Sequence, residues 1–593
     1  MPSATRANFA ILLGLAWIIA SGWLLWQFWA PTADMLTDPD DAMRLVQVRA
    51  FLAGRGWFDL FEPRVDPPAG YVTHWSRLVD AGLAGLFVLF NLFADGALAE
   101  RLTRALWPLI WLLPAMAGVA AIAWRLAGRE AAVIALVLAT FGLPAFQHFT
   151  PGRIDHHNVQ IALAVLAVAA TAWSDRARWS APAAGLLTGL ALAVGLENLP
   201  YLTVCGAALL LRYVRDRDGG PALADYGFGL AASTLAAFLV NVGPDQWTRT
   251  ACDAIAINWA APVVLAGLAL AVAGRTCAGA WLRCAAAGAA ACGALALFIA
   301  IEPRCLGGPF AMMEVAAKAT WLAEVREMEA LVPFAAGAPV MGAWITAFPA
   351  GAILAALALA GSKQQCRDFG FLVASAALVV AVAATIAMAK AYSYAIWLGM
   401  PLMAALATRL FAVLGLRTAV ARLAVVLALT PTALAAGAIA VAQAALDFPQ
   451  TAKRADEACF RAQSYAPLAR LPAGLLATHV DYGPFVLALT PHSVIAAPYH
   501  RLSAAIIAAH EIFTRPESEA RVLLGERGAS YVAICRHRAP ARHAAGGDRG
   551  ASERVSGLWD QLQAGEVFGW LEPIENEPGA VFAIYRVRAG GGS

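Results

Sequence analysis

The sequence predicts a mainly α-helical, polytopic membrane protein that ends in a small soluble α/β domain. Three observations carry that prediction. Of the 593 residues, 60% are apolar and 14% charged, and the mean hydropathy is +0.64, whereas a soluble domain is about half apolar and about a quarter charged. The apolar residues are gathered into long runs as far as residue 445. Beyond that point, polar stretches alternate with short apolar runs such as "LLATHV", "FVLAL", "SVIAA" and "SYVAIC" and with helix-like segments at 502–513 and 516–527.

The first run, 8–30, is too long and too Trp-rich for a signal-peptide core and lacks a small-residue cleavage site, so it reads as a retained anchor. A crossing needs roughly 20 apolar residues. Further runs at 103–126, 131–149, 158–173, 181–197, 200–214, 224–241, 260–274, 284–301, 342–361, 369–389, 392–408 and 423–445 bring the expected total to about thirteen spans. The run 79–95 is short and broken by Asn91 and Asp95, so it either spans or lies in the interface. Charge decides. If it does not span, Arg125/Arg129, Arg176/Arg178, Arg212/Arg215/Arg217, Arg275/Arg283, Lys363/Arg367 and Arg409/Arg417/Arg422 all fall on one side, which the positive-inside rule makes cytoplasmic. The segments 31–78, 150–157, 242–259 and 302–341 then share the outer face with the tail. Two domains follow: residues 1–446 in the membrane and 447–593 as an extracytoplasmic α/β domain, joined by a helix around 448–470, with low-complexity stretches at 544–553 and in the final "GGGS".

A net charge of +3 gives no nucleic-acid footprint. The nine cysteines show no CxxC pair or Cys/His ligand spacing, which argues against a structural zinc motif or haem attachment. Cys459 and Cys535 both lie in the tail and can pair in an oxidising compartment.

The chemistry-bearing residues sit in the outer segments. Asp38, Asp40 and Asp41 follow the first span and precede a helix-like run, where Asp40 or Asp41 can serve simply as a helix cap. In "PGRIDHHNVQ", Pro151 and Gly152 end one helix and Asp155 begins the next. Asp155 can likewise be a cap, and His156 and His157 can be interfacial side chains. Yet Asp155 and His157 are two residues apart, close enough to hold one cation, and oxygen with a single imidazole suits Mn²⁺ or Mg²⁺ better than zinc. "TWLAEVREMEALVPF" adds Glu324, Glu327 and Glu329, which singly read as solubilising charges on a helix face. Three loops thus deliver carboxylates to one membrane face, where a cation can neutralise them.

These residues resemble the motifs of the oligosaccharyltransferase catalytic-subunit family, GT-C glycosyltransferases with thirteen membrane helices and a C-terminal soluble domain. The "DP…R" of Asp38, Pro39 and Arg44 resembles the family's first acidic motif, and "DHH" at 155–157 the second, in its archaeal form. "LAEV" at 322–325 is similar to the loop motif ending in a catalytic glutamate, which selects Glu324. Asp481, Tyr482 and Gly483 match the end of the WWDYG signature. The resemblance implies that Asp38, Asp155, His157 and Glu324 bind a divalent cation, that Asp38, Asp155 and Glu324 act in catalysis, and that Asp481, Tyr482 and Gly483 bind the acceptor. Asp40, Glu327, His156 and Lys390 stand as alternatives. It further implies a polyprenyl-linked sugar donor in the bilayer, a protein, lipid or polysaccharide acceptor, and a bacterial inner-membrane location with the tail in the periplasm.

The sequence departs from the pattern in two places. His479 and Val480 replace the two tryptophans of WWDYG, so the family's Ser/Thr pocket does not carry over. The family's late-helix arginine has no counterpart, Lys390 lying about one turn early. A transferase that uses a polyprenyl-phosphate monosaccharide to modify a lipid or polysaccharide keeps the same fold and metal site. A transporter or flippase would instead place charges in mid-helix along a path between the faces, and a non-catalytic scaffold is a further alternative.

Overall fold

The computed structural model describes residues 3–276, 279–445, 457–538, 556–574 and 579–588. Among these, eight helices are long and apolar enough to cross a membrane, or nine if the bent pair Ala419–Ala428 and Pro431–Ala444 is one span. Shorter apolar helices at His157–Trp173, Ser180–Val194 and Leu199–Arg215 occupy the other expected runs. The chain is a multi-pass membrane protein. The longest helix, Gly96–Thr140, covers two expected spans and breaks where they should separate, at Ala127 and Gly128. Gly128 has φ +81°, a left-handed conformation that costs glycine little and L side chains a great deal. The second half of that helix is shorter than the run 131–149 suggests, because Gly142 and Pro144 stop it and residues Leu143–Phe149 wind as a 3₁₀ helix.

The ambiguous run 79–95 is the helix Arg77–Phe90, whose 14 residues span about 21 Å at 1.5 Å each, short of the roughly 30 Å hydrocarbon core. It lies against the first outer loop and buries Arg77 and Asp80 there. At the opposite end of the bundle three of the basic loops meet. Arg125 pairs with Asp175 at 2.7 Å and with Asp368 at 2.9 Å, and Arg176 reaches Asp368 at 3.3 Å.

Within the bundle, Gly220–Asn241 packs between Ser180–Val194 and Ile257–Thr276. Small residues let these backbones approach closely, as membrane helices require in the absence of a hydrophobic drive between them. A Cβ on Gly227 would stand 2.5 Å from the carbonyl oxygen of Gly267, and one on Gly267 would stand 2.7 Å from that of Gly227.

The tail is an α/β domain around a five-stranded sheet ordered β4-β3-β5-β7-β6, numbered after a small hairpin, β1 (Phe61–Glu62) and β2 (Tyr71–Val72), in the first outer loop. The strands are β3 (Leu475–Ala477), β4 (Ser493–Val494), β5 (Tyr531–Cys535), β6 (Leu571–Pro573) and β7 (Phe582–Val587). β3 runs parallel to β4 and β5, and β7 antiparallel to β5 and β6. "FVLAL" is helical, as part of Gly483–Leu489, because the Gly-Pro start favours a first helical turn. The expected linker helix is broken in its described part into 3₁₀ turns at Glu457–Phe460 and Ala462–Tyr465 and a four-residue helix, Ala466–Ala469. Its start, the residues 544–553 and the final "GGGS" lie outside the described residues.

The domain docks on the first outer loop. The amide of Asp66 donates to the carbonyl of Val494, and that of Val494 to Arg64, each at 2.8 Å. Arg527 pairs with Asp66 at 2.6 Å, and Tyr499 Oη donates to the carbonyl of Pro39 at 3.1 Å. The two pieces share one apolar core. Cys459 and Cys535 are disulfide-bonded, tying the start of the tail to β5. A second disulfide, Cys252–Cys305, which the sequence reading did not anticipate, joins the outer segments 242–259 and 302–341.

Candidate active site

A cavity of about 1960 Å³ lies where the outer loops meet the C-terminal domain. Two acidic segments at or next to it begin helices. Asp38 caps the helix Pro39–Leu52, its Oδ1 accepting from the amides of Asp40 at 2.9 Å and Asp41 at 3.1 Å. The cap is therefore Asp38, and Asp40 and Asp41 occupy the first turn. Asp155 plays the same part at the next element, its Oδ1 accepting from the amide of His157 at 2.9 Å. In both residues one oxygen serves the backbone and leaves the other for chemistry. Those second oxygens meet Arg153, which pairs with Asp38 Oδ2, with Asp41 Oδ2 at 3.2 Å and with Asp155 Oδ2 at 2.6 Å. Asp41 fixes the loop as well, since its Oδ1 accepts from the amides of Ile154 and Asp155 at 2.7 and 3.0 Å.

The ligand atoms of Asp38, Asp41 and Asp155 lie within 4.8 Å of one another. Three carboxylates against one guanidinium leave an excess of negative charge, and an all-oxygen donor set of this kind fits Mg²⁺ or Mn²⁺. Burial alone would raise the Asp155 carboxyl, but Arg153 and then His157 hold it well below the usual carboxylate range. Asp41, buried beside that fixed charge, is pushed well above its ordinary value by desolvation and by Asp155.

His157, the expected ligand, engages a neighbouring acid through one ring nitrogen. Its Nδ1 lies 3.0 Å from Gln160 Oε1 and 3.3 Å from Glu197 Oε2, while Lys390 Nζ holds Glu197 Oε1 at 2.9 Å. Burial opposes ionisation of Glu197, yet Lys390 and His157 keep it below its ordinary value. His156 is kept neutral by burial, its pKa lowered to about 3. Asp40 joins the two groups. Desolvation, with the charges of Asp155 and Glu327, lifts it to about 7, against the pull of His157 and Lys390.

The two candidate glutamates separate. Glu327 feels the charges of Asp40 and Lys390, and its 3₁₀ turn is pinned next to Lys390 by the amide of Ala389 donating to the carbonyl of Glu329 at 2.8 Å. Glu324 lies on the tail's side, where burial raises its pKa and the charges nearby are Arg538 and Asp481. Asp481 lines the cavity and accepts from Arg538 at 3.1 Å. Tyr482 and Gly483 are buried behind it and do not line the cavity, Gly483 packing against the carbonyl of Ala496 where a side chain would not fit. Arg44 likewise stays out of the site and pairs with Asp80 at 2.7 Å beneath it.

The structure thus places Asp38, Asp155, Asp40, His156, His157, Glu327 and Lys390 in one neighbourhood, together with Asp41, which the sequence offered only as a cap, and with Arg153 and Glu197, which it did not single out as candidates. Asp41 and Arg153 were visible as neighbours of the chosen residues. Glu197 carried only the signal of a lone acid at the end of an apolar run.

His479, in the place of a family tryptophan, is pushed down to about 4 by burial, against the pull of Asp481. The unfolded chain, with a histidine near 6.5, therefore binds a proton first, so stability is complete above that value and falls as pH drops toward 4. Acidification from pH 7 to 5 is expected to cost about 2 kcal/mol through this residue, read as a shift in thermal midpoint that His479→Gln abolishes.

Solved structures share this architecture. The archaeal oligosaccharyltransferase AglB from Archaeoglobus fulgidus, in complex with an inhibitory peptide and a dolichol-phosphate, aligns over 90% of this chain and 70% of its own, with a TM-score of 0.66 and 14% identity. The chain has the GT-C glycosyltransferase fold. The same archaeal enzyme tethered to an acceptor peptide containing the NVT sequon aligns over 98% of this chain and 74% of its own, at TM-score 0.59 and 14% identity. Its complex with zinc and sulfate aligns over 88% and 68%, at TM-score 0.58 and 17% identity. No family model matches the sequence, and no curated protein matches it. At these identities the likeness establishes the GT-C fold and leaves the chemistry to the residues.

Proposed function

We propose that this GT-C protein is a glycosyltransferase that moves a glycan from a polyprenyl-phosphate or -diphosphate carrier to an acceptor at the extracytoplasmic face of a bacterial-type inner membrane. The observation that carries this reading is the cavity itself. Its lining gathers Asp38, Asp40, Arg153 and Lys390, with the buried Asp155 paired to Arg153, and its wall includes Leu192, Leu199, Leu295 and Phe298 from the ends of apolar helices. Such a site can take a phosphorylated headgroup and an isoprenoid tail together. Asp38, Asp40, Asp155 and Glu197 gather at helix ends around one cavity rather than in mid-helix, which favours surface chemistry over a transport path. Among the described residues, the two disulfides lie in the outer segments and the tail, while Cys205, Cys284, Cys292 and Cys366 are free. That division supports an oxidising compartment on the outer side.

Asp38, Asp41 and Asp155 would hold a divalent cation, with His157 and Asp40 beside it. When bound, Mn²⁺ or Mg²⁺ supplies positive charge against the departing phosphate oxygens. Arg153 and Lys390 add fixed positive charge on the same side. Asp40 and Glu327 orient the acceptor nucleophile and take its proton, so no covalent enzyme intermediate is needed. Glu324, with Asp481, Arg538 and His479, sits where the acceptor enters. This charged set replaces the apolar and aromatic pocket of the family signature, which favours an acceptor bearing a polar or charged group over a Ser/Thr sequon.

The test uses the full chain in detergent with polyprenyl-diphosphate oligosaccharide and polyprenyl-phosphate monosaccharide donors offered separately. One donor should be consumed, EDTA should stop turnover and Mn²⁺ or Mg²⁺ should restore it. Glu327→Ala should lower kcat about 100-fold, while Glu324→Ala should act chiefly on the acceptor KM. Gene deletion followed by comparison of glycoproteins, glycolipids and surface polysaccharide identifies the acceptor. No change in any of the three, with neither donor consumed, would remove the proposal.

A further inference from the structure

A second cluster of ligating side chains lines the same cavity, away from the acidic centre, and has no part in the chemistry above. His74 comes from the first outer loop, Asp253 from the segment 242–259 and His500 from the C-terminal domain. His500 Nε2 is 2.6 Å from Asp253 Oδ2, His74 Nδ1 is 4.0 Å from the same oxygen, and the three ligand atoms all lie within 4.8 Å of one another. Among the described residues, the buried His74 Nδ1 has no hydrogen-bond partner. Arg501 grips the Asp253 carboxylate with two bonds of 2.7 Å.

We infer that His74, Asp253 and His500 form a second metal site, for zinc or a similar borderline divalent ion, which clamps the C-terminal domain to two outer loops. The donor chemistry separates it from the first site. Two imidazoles and one carboxylate suit zinc, whereas an all-carboxylate centre suits Mg²⁺ or Mn²⁺. The spacing is compatible, because ligands about 2.1 Å from a tetrahedral ion stand about 3.4 Å apart, between the 2.6 and 4.0 Å observed here. Arg501 orients the carboxylate as an outer partner commonly does for a metal ligand. All three donors border the cavity, so a fourth position faces solvent or acceptor.

Aromatic side chains pack beside both centres. Tyr499 stacks on Tyr71 at 5.1 Å and meets Trp75 at 5.5 Å, and Trp75 in turn faces His156. The disulfide Cys252–Cys305 anchors the residue next to Asp253, so that segment is held both covalently and by the proposed ion. Sequence spacing could not reveal this site, since its donors lie in three distant segments.

The experiment strips the detergent-purified full chain with EDTA, adds one equivalent of Zn²⁺ in a large excess of Mg²⁺, and measures the zinc retained after gel filtration. Wild type and Asp155→Asn should each keep one zinc per chain, and His74→Gln/His500→Gln should lose it. Co²⁺ in place of Zn²⁺ should give wild type the intense visible absorption of a four-coordinate site, a measurement that needs no variant to fold. Equal zinc in wild type and the double variant, loss of zinc in Asp155→Asn, or a weak six-coordinate cobalt spectrum would overturn the inference and leave the cluster an ion-pair network.

Discussion

Asp155→Asn is expected to abolish glycan transfer while leaving the protein folded. The amide keeps an oxygen for the amide of His157, so the helix His157–Trp173 retains its start. What disappears is the negative charge at Oδ2, which Arg153 holds at 2.6 Å and which is one of three carboxylates converging there. Asp155 is 1% exposed, so water cannot replace that charge. Loss of one preorganised charge in a desolvated site costs about 3–4 kcal/mol in the transition state, or on the order of 10²–10³ in rate. The measurement is turnover of lipid-linked donor at saturating Mn²⁺, with gel-filtration profile and thermal midpoint as controls. A variant retaining more than a tenth of wild-type turnover would show that this centre is not where the reaction occurs.

Asp80→Ala should destabilise more than any change in the cavity. Asp80 and Arg44 are both fully buried, with Nη1 of Arg44 2.7 Å from one carboxylate oxygen. Nη1 of Arg77 binds the other oxygen at 2.9 Å. Removing this one carboxylate strands two guanidinium groups away from water, and breaking such a pair costs about 3–5 kcal/mol. Thermal inactivation in detergent should therefore shift sharply downward, and Asp80→Ala combined with Arg44→Met should recover part of the loss, since fewer charges then lack a partner. A midpoint unchanged by Asp80→Ala would contradict the buried arrangement. Activity should fall too, because Arg44 sits on the helix Pro39–Leu52 that carries Asp40 and Asp41. The arginine of the "DP…R" motif thus works as a strut between that helix and the helix Arg77–Phe90.

The candidate site was legible in the sequence only where its signal was local. Helix starts announce themselves by acids after a break, so Asp38 and Asp155 were visible, as were the paired histidines. Neither the pairing of Asp38 with Arg153, 115 residues apart, nor that of Lys390 with Glu197, 193 residues apart, leaves any trace in spacing. The choice between Glu324 and Glu327 is likewise not a local one. A motif match selected the first, whereas the fold sets the second next to Lys390 by docking its turn on Ala389.

By itself, the sequence determined that this is a multi-pass membrane protein, where its apolar runs become helices and which loops share an end. Bilayer thickness and the cost of moving charge across it act on composition in short stretches, so those features are written locally. Tertiary structure decided which carboxylates meet, which histidine engages Glu197, and how the tail seats on the first outer loop. Those outcomes depend on close helix packing and on hydrogen bonds between segments hundreds of residues apart, and no local rule encodes them.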